Sequence, residues 1–284
     1  MSISPASQAQ RVDPSIPMFD AYSPPQIAIR VREVGVAKAT APVPATVGLG
    51  ILAGAFISLG ALFYIVTVTP GPGPPAPFGL TRLAGGLAFS LGLVLVLVGG
   101  AELFTGNNLI AMAWAGGRIR TGQLLKNWTW VYLGNLIGAV GTVALTLLAR
   151  VAGLAEGDVG ETAVEIARRK VALVPATALA SGLLCNALVC LAVWLCMGAR
   201  GVADKILAIL FPITAFVACG FEHSVANMYF LPLGLALAMG SAQPIEVVDA
   251  LSNLFFVTIG NMLGGTLLVA VVYWFIYLRK NSVG

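Results

Sequence analysis

From position 47 onward the chain alternates between long apolar runs and short polar breaks. The runs cover residues 47–68, 82–117, 128–150, 177–198, 203–240 and 254–278. A helix crosses a bilayer in about 20 residues, so four of the runs fit one crossing each. The second and fifth run on too long for one plain helix. None of the runs alternates with the period of two that a barrel strand needs. The pattern predicts an all-α polytopic membrane protein with six transmembrane segments, the second and fifth broken at the midplane.

The polar stretches complete the outline. Residues 1–24 are polar and carry several prolines, which predicts a disordered tail without the charged-then-apolar order of a signal peptide. Residues 25–41, PQIAIRVREVGVAKATA, set Ile27, Val31, Val34 and Val36 among Arg30, Arg32, Glu33 and Lys38. That mixture predicts an amphipathic helix at the membrane interface. The transmembrane domain then spans 47–278, interrupted by the Pro/Gly loop TPGPGPPAP and by a hydrophilic connection at 151–176 with Glu156, Asp158, Glu161 and Glu165. Residues 279–284 form a short tail.

Composition sharpens this outline. Charged residues make up 10% of the chain, against roughly 25% in a soluble domain, and the mean hydropathy is +0.91. The net charge of +4 belongs to Lys and Arg flanking the spans and implies no nucleic acid. With both termini cytoplasmic, the inside holds Arg11, Arg30, Arg32, Lys38, Arg118, Arg120, Lys126, Arg200, Lys205, Arg279 and Lys280. The outside then holds Arg82, Arg150, Arg168, Arg169 and Lys170. Eleven against five orients the chain in the inner membrane by the positive-inside rule. The cysteines, Cys185, Cys190, Cys196 and Cys219, all fall in apolar runs and read as small buried packing residues.

An internal repeat emerges from the motifs. GGAELFTG (99–106) resembles CGFEHSVA (219–226), and LGNLIGAV (133–140) resembles IGNMLGGT (259–266). Three spans per half is an odd number, so the second repeat (177–278) enters the membrane inverted relative to the first (47–150). Broken helices meeting at the midplane of inverted repeats are a transporter and channel architecture. Broken backbone at that depth needs partners. Glu102 and Glu222, each just after a glycine, read as structural braces whose carboxylates accept the freed N–H groups. His223, the chain's single histidine, sits at the second break, and an ionisable group inside a membrane is a candidate functional residue.

Together these motifs resemble the formate/nitrite transporter family. The resemblance is carried by GAELFTGNN (100–108), KNW with GNLIGA (126–128, 134–139), NALVCLAVW (186–194), FPITAFVACGFEHSVANM (211–228) and TIGNMLGG (258–265). It implies an aquaporin-like fold, a homopentamer with one pore per protomer, and passage of small monovalent anions or their conjugate acids. Formate leads, with nitrite and hydrosulfide as alternatives. It further implies a central site of Thr105 and His223, and apolar constrictions at Phe89, Leu93 and Phe216. Lys170 resembles a basic residue of the outer vestibule, and Asn186 and Asn261 resemble polar groups near the pore. The expected partners are those anions, protons and the lipid bilayer; no cofactor is implied.

Enzyme readings fit less well. An intramembrane serine protease needs GxSG, and LASG (179–182) lacks its first glycine. A metal or haem site ordinarily draws on more than one histidine or a cysteine cluster.

Overall fold

The computed structural model describes residues 20–279 apart from 72 and 75. The expected tails, with Arg11 and Lys280 of the charge count, lie wholly or mostly outside the described residues.

Within them all regular structure is helical. In order come α1 (Pro24–Thr40), α2 (Val43–Val68), α3 (Phe78–Gly99), a 3-10 turn (Gly106–Ile110) leading into α4 (Ala111–Ala115), and α5 (Thr121–Leu148). Then follow α6 (Asp158–Val171), α7 (Pro175–Gly198), α8 (Val202–Cys219), α9 (Ser224–Ala238) and α10 (Val247–Leu263). A π-helical stretch, Gly264–Val271, joins α10 to α11 (Val272–Tyr277). Proline opens α1, α2 and α7 at the first or second position, where its missing N–H has no partner to lose.

Among the described residues six helices are long and apolar enough to cross a membrane: α2, α3, α5, α7, α8 and the continuous α10–α11. The fold is thus the six-span all-α class expected. Runs two and five are broken by one chemistry. Gly100 and Gly220 take φ of 84° and 75°, a left-handed conformation that glycine adopts without a Cβ penalty. In each, the N–H one residue later bonds back across the turn, Ala101 to Val96 O and Phe221 to Phe216 O, both at 2.9 Å. That is the bond closing a Schellman motif.

The helices pair in a matched way. α2 lies against α5 and α3; α7 lies against α10 and α8. A Cβ on Gly138 would overlap the carbonyl oxygen of Ile51, and one on Gly264 that of Leu183. The GNLIG and GNMLG motifs therefore let α5 touch α2, and α10 touch α7, backbone to backbone.

Three features differ from the outline read in the sequence. Helix α5 begins at Thr121, ahead of the apolar run, because hydropathy marks the membrane and not the end of the helix. The hydrophilic connection contains α6, which buries Val159, Ala163 and Ala167 every fourth residue on a stripe that packs against α9. Cys185, Cys190 and Cys196 are buried, but Cys219 is exposed, since α8 ends there and turns its last residue outward.

Candidate functional site

A broken helix leaves N–H and C=O groups that must find partners. At the first break Asn135 of α5 supplies them. Its Oδ1 accepts the Phe104 N–H at 2.9 Å, and its Nδ2 donates to Glu102 O at 2.9 Å and Gly50 O at 2.8 Å. At the second, Asn261 of α10 accepts the Ser224 N–H at 2.8 Å and donates to Glu222 O at 3.0 Å and Gly182 O at 2.7 Å. One buried amide at each break thus ties three segments together with three bonds.

This corrects the role expected of the glutamates. Their carboxylates do not take the freed backbone N–H groups; they take side chains. Glu102 accepts from Lys38 Nζ at 3.1 Å and from Asn107 Nδ2. Glu222 accepts from Lys170 Nζ at 2.9 Å and from Asn227 Nδ2 at 2.7 Å. The reason is reach. Asn135 and Asn261 accept the Phe104 and Ser224 N–H groups, and the glutamates' own N–H groups go to Leu49 O and Ser181 Oγ, so each carboxylate turns to the nearest cation.

The matching extends further. Asn107 Nδ2 also donates to Asn127 Oδ1 at 3.0 Å, and Asn127 Nδ2 to Lys38 O at 3.1 Å. Asn227 Nδ2 donates to Asn253 Oδ1 at 2.8 Å, and Asn253 Nδ2 to Lys170 O at 2.7 Å. Lys–Glu–Asn–Asn is built twice, with α1 serving the first break as α6 serves the second. The sequence reading named Glu102, Glu222, Lys170 and Asn261 but missed Lys38, Asn107, Asn127, Asn135, Asn227 and Asn253. A signal was present. Each glutamate is followed five residues later by asparagine, and each Gly-Asn is preceded by an asparagine eight residues before the motif's own.

Between the breaks lies the centre. Thr105 Oγ1 and His223 Nε2 are 2.9 Å apart, both buried. His223 caps α9, its Nδ1 accepting the Ala226 N–H at 3.1 Å. Phe216 stacks on the imidazole with ring centroids 5.9 Å apart, and meets Phe89 edge to face at 5.6 Å. His223, Phe89, Phe216 and Lys170 line one cavity of about 220 Å³. Leu93, Lys38 and Asn107 line a second, smaller one of about 50 Å³. Each cavity therefore holds one lysine and one or more of the apolar side chains expected to constrict the path. Asn186 and Asn261 line neither cavity. They stand behind the walls, Asn186 donating to Thr105 O at 3.2 Å, Asn108 Oδ1 at 2.7 Å and Asn261 O at 2.7 Å. Both side chains thus brace the backbone beside the centre, Asn186 through its Nδ2 and Asn261 through both ends of its amide.

The two lysines are not equally engaged. Lys38 Nζ is held by Glu102 and by Asn107 Oδ1 at 2.8 Å. Lys170 Nζ has Glu222 and otherwise lies over the Phe230 ring, 5.1 Å from its centroid. An ammonium has three donors, so Lys170 keeps more of them for its cavity.

Residues 25–275 match the family described as Formate/nitrite transporter. The chain belongs to this family. It is 44% identical over 279 residues to the formate channel FocA of Escherichia coli (strain K12), covering 93% of this chain and 97% of that one. It is 37% identical to the formate channel BtFdhC of Bacillus thuringiensis, covering 92% and 98%. Among solved structures it resembles a pentameric formate channel with formate bound, with a TM-score of 0.77, 38% identity and coverage of 84% and 98%. A second, an FNT family ion channel, gives a TM-score of 0.74 at 29% identity over 89% and 98%. These are transport proteins, and the enzyme readings fall away.

In this formate/nitrite transporter the matched frame encloses an unmatched centre. Aligning the two breaks on their glutamates sets His223 opposite Leu103 and Thr105 opposite Val225. The polar pair at the centre comes from positions that are apolar in the other half. The frame is kept double while the site is single.

Proposed function

We propose that the chain passes formate, as the anion or as formic acid, across the inner membrane through one pore per protomer of a homopentamer. Both termini face the cytoplasm, α1 lies at the cytoplasmic interface, and the Lys170 cavity opens outward. The two halves are inverted repeats, and α1 and α6 join them as equivalent members. The matched Lys–Glu–Asn–Asn groups support this reading, as do the Gly–Asn motifs that serve each break alike.

One observation carries the functional reading: the Thr105–His223 contact, with His223 on the wall of the Lys170 cavity and Thr105 next to Gly106 on the wall of the Lys38 cavity. A small anion loses hydration at an apolar constriction at a large cost. Lys170 offsets part of that cost on one side and Lys38 on the other. With Nδ1 engaged by Ala226, the neutral imidazole carries its proton on Nε2. That N–H and the Thr105 hydroxyl are the donors a carboxylate meets at the centre. A proton that reaches the anion lets it cross the next apolar contact neutral. Nitrite and hydrosulfide are also small, monovalent and conjugate to weak acids, so the same donors serve them. Formate is preferred because the similar proteins named above are formate channels.

Liposomes containing the purified protein test this reading. Formate uptake well above that of protein-free vesicles is expected, with nitrite and hydrosulfide run in parallel. Vesicles that pass nitrite or hydrosulfide but not formate reassign the substrate. Vesicles that pass none of the three overturn the reading.

A further inference from the structure

The Lys170 cavity adjoins a wider funnel lined by Val68, Phe78, Glu161 and Glu165. Four residues line both spaces: Tyr64, Arg82, Ile166 and Arg169. They form the neck between funnel and cavity, with two apolar and two cationic side chains.

The charges at this neck do not balance. Arg169 pairs with Glu165 at 2.7 Å, and Lys170 pairs with Glu222. Among the described residues no carboxylate lies within ion-pair distance of Arg82. Its guanidinium is instead held by the end of α8, with Nε donating to Ala218 O at 2.9 Å and Nη2 to Val217 O at 3.0 Å. Nη1 reaches Tyr64 Oη at 3.5 Å. A guanidinium has five N–H donors, so one remains on each terminal nitrogen. Gly220 permits the approach, since a Cβ there would stand 2.8 Å from Arg82 Nη2. The second repeat offers no equivalent, because its matching position, aligned on Gly220, is Val202.

We propose that Arg82 forms an anion subsite at this neck, one step before Lys170. The helix-end carbonyls orient the guanidinium without neutralising it. Its two remaining N–H groups take the oxygens of a small carboxylate, a geometry that suits guanidinium better than ammonium. The unpaired charge raises the local anion concentration in front of a cavity whose other cations already have partners. The subsite makes the two mouths unequal, since the Lys38 cavity contains one cation, and that cation is paired.

This inference rests on the formate reading above, and the test separates the two. Initial formate uptake is measured in liposomes at low and saturating substrate, each at low and high concentrations of an impermeant salt. The proteins are wild type, Arg82→Gln and Arg82→Lys. Wild-type uptake at low substrate is expected to fall as salt rises. Arg82→Gln is expected to lower low-salt, low-substrate uptake by roughly three- to tenfold, with near-normal saturating flux and a flatter salt dependence. Arg82→Lys is expected to fall between wild type and Arg82→Gln in low-substrate uptake and to keep the wild-type salt slope, because lysine keeps the charge but not the paired N–H groups. A Gln variant that matches wild type in uptake and salt slope overturns the subsite. So does a Lys variant impaired as much as the Gln one, which marks Arg82 as a cap of α8 alone. If Arg82→Gln fails to assemble, the Lys variant and the wild-type salt series still decide. Wild-type vesicles that pass no formate sink the formate reading itself.

Discussion

His223 Nδ1 accepts the backbone N–H of Ala226 at 3.1 Å, and this bond decides which proton the imidazole carries. A nitrogen that accepts an N–H bears no hydrogen, so the neutral ring holds its proton on Nε2, facing Thr105 Oγ1 at 2.9 Å. A second proton has to enter at Nδ1 and displace the cap, a loss of about 0.5–2 kcal/mol. The neutral ring is therefore a hydrogen-bond donor at the centre.

Replacing His223 with asparagine separates the two roles. Asparagine caps a helix well and offers a donor, but it does not titrate. The His223→Asn protein is expected to assemble as wild type does. Its formate uptake, followed from about pH 5 to 8 around the unperturbed imidazole value of about 6.5, is expected to track the supply of formic acid alone. Wild type is expected to depart from that supply. Normalised profiles that coincide would show His223 to be a structural cap.

Glu222 holds two donors at once, Lys170 and Asn227. Glu222→Leu strands a largely buried ammonium, and is expected to cost on the order of 3–5 kcal/mol. Glu222→Gln keeps one acceptor oxygen and puts a donor in place of the other. One of the two partners is lost, at about 1–3 kcal/mol. Thermal denaturation of the purified protein in detergent should rank wild type above Gln and Gln above Leu. A Leu variant as stable as wild type would remove the carboxylate from the frame.

Much of this molecule is legible in the sequence, and the rest is hidden for a physical reason. The six crossings show because burial in lipid demands unbroken apolar runs. The breaks show because left-handed turns select glycine, and Gly100 and Gly220 stand out within runs too long for one helix. His223 shows because it is alone. The Lys–Glu–Asn–Asn groups do not show. Lys38 and Lys170 sit on polar helices outside the spans, 64 and 52 residues from the glutamates they meet, and no local pattern records such a contact. Asn186 is readable as polar and buried, but not that its Nδ2 faces the oxygens of Thr105, Asn108 and Asn261. Arg82 reads in sequence as one more cation flanking a span.

Topology is testable with single cysteines, once the exposed Cys219 is changed to serine. Cysteine at Arg118 and cysteine at Asp158 both fall at exposed positions. The charge bias predicts that an impermeant thiol reagent applied to intact cells labels the Asp158 variant and spares the Arg118 variant. The opposite pattern would invert the assignment of the Lys170 cavity to the outside. Equal labelling of both in sealed cells would contradict an odd number of crossings between them.

Asn135 and Asn261 make the same three bonds at opposite breaks, which yields a quantitative comparison. Substituting either with alanine leaves one N–H and two carbonyl groups without their partner amide. Each such group costs about 1–3 kcal/mol where water does not reach it; four of the six sit in the broken backbone, while Gly50 O and Gly182 O lie within α2 and α7. Aspartate is the sharper probe. It retains the oxygen that accepts from Phe104 or Ser224 but loses the donor that serves the two carbonyls, and it brings a charge into a dry site. Asn→Asp is thus expected to be no better tolerated than Asn→Ala at either position. If the two breaks are equivalent members of a repeat, the paired variants lower the yield of assembled protein and its melting temperature by similar amounts. Their effects on flux are expected to differ, because only Asn261 holds the loop that carries His223. Equal stability losses with unequal flux would support a doubled frame around a single site. Losses that are large at one break and negligible at the other would show that one break is held by contacts other than its asparagine.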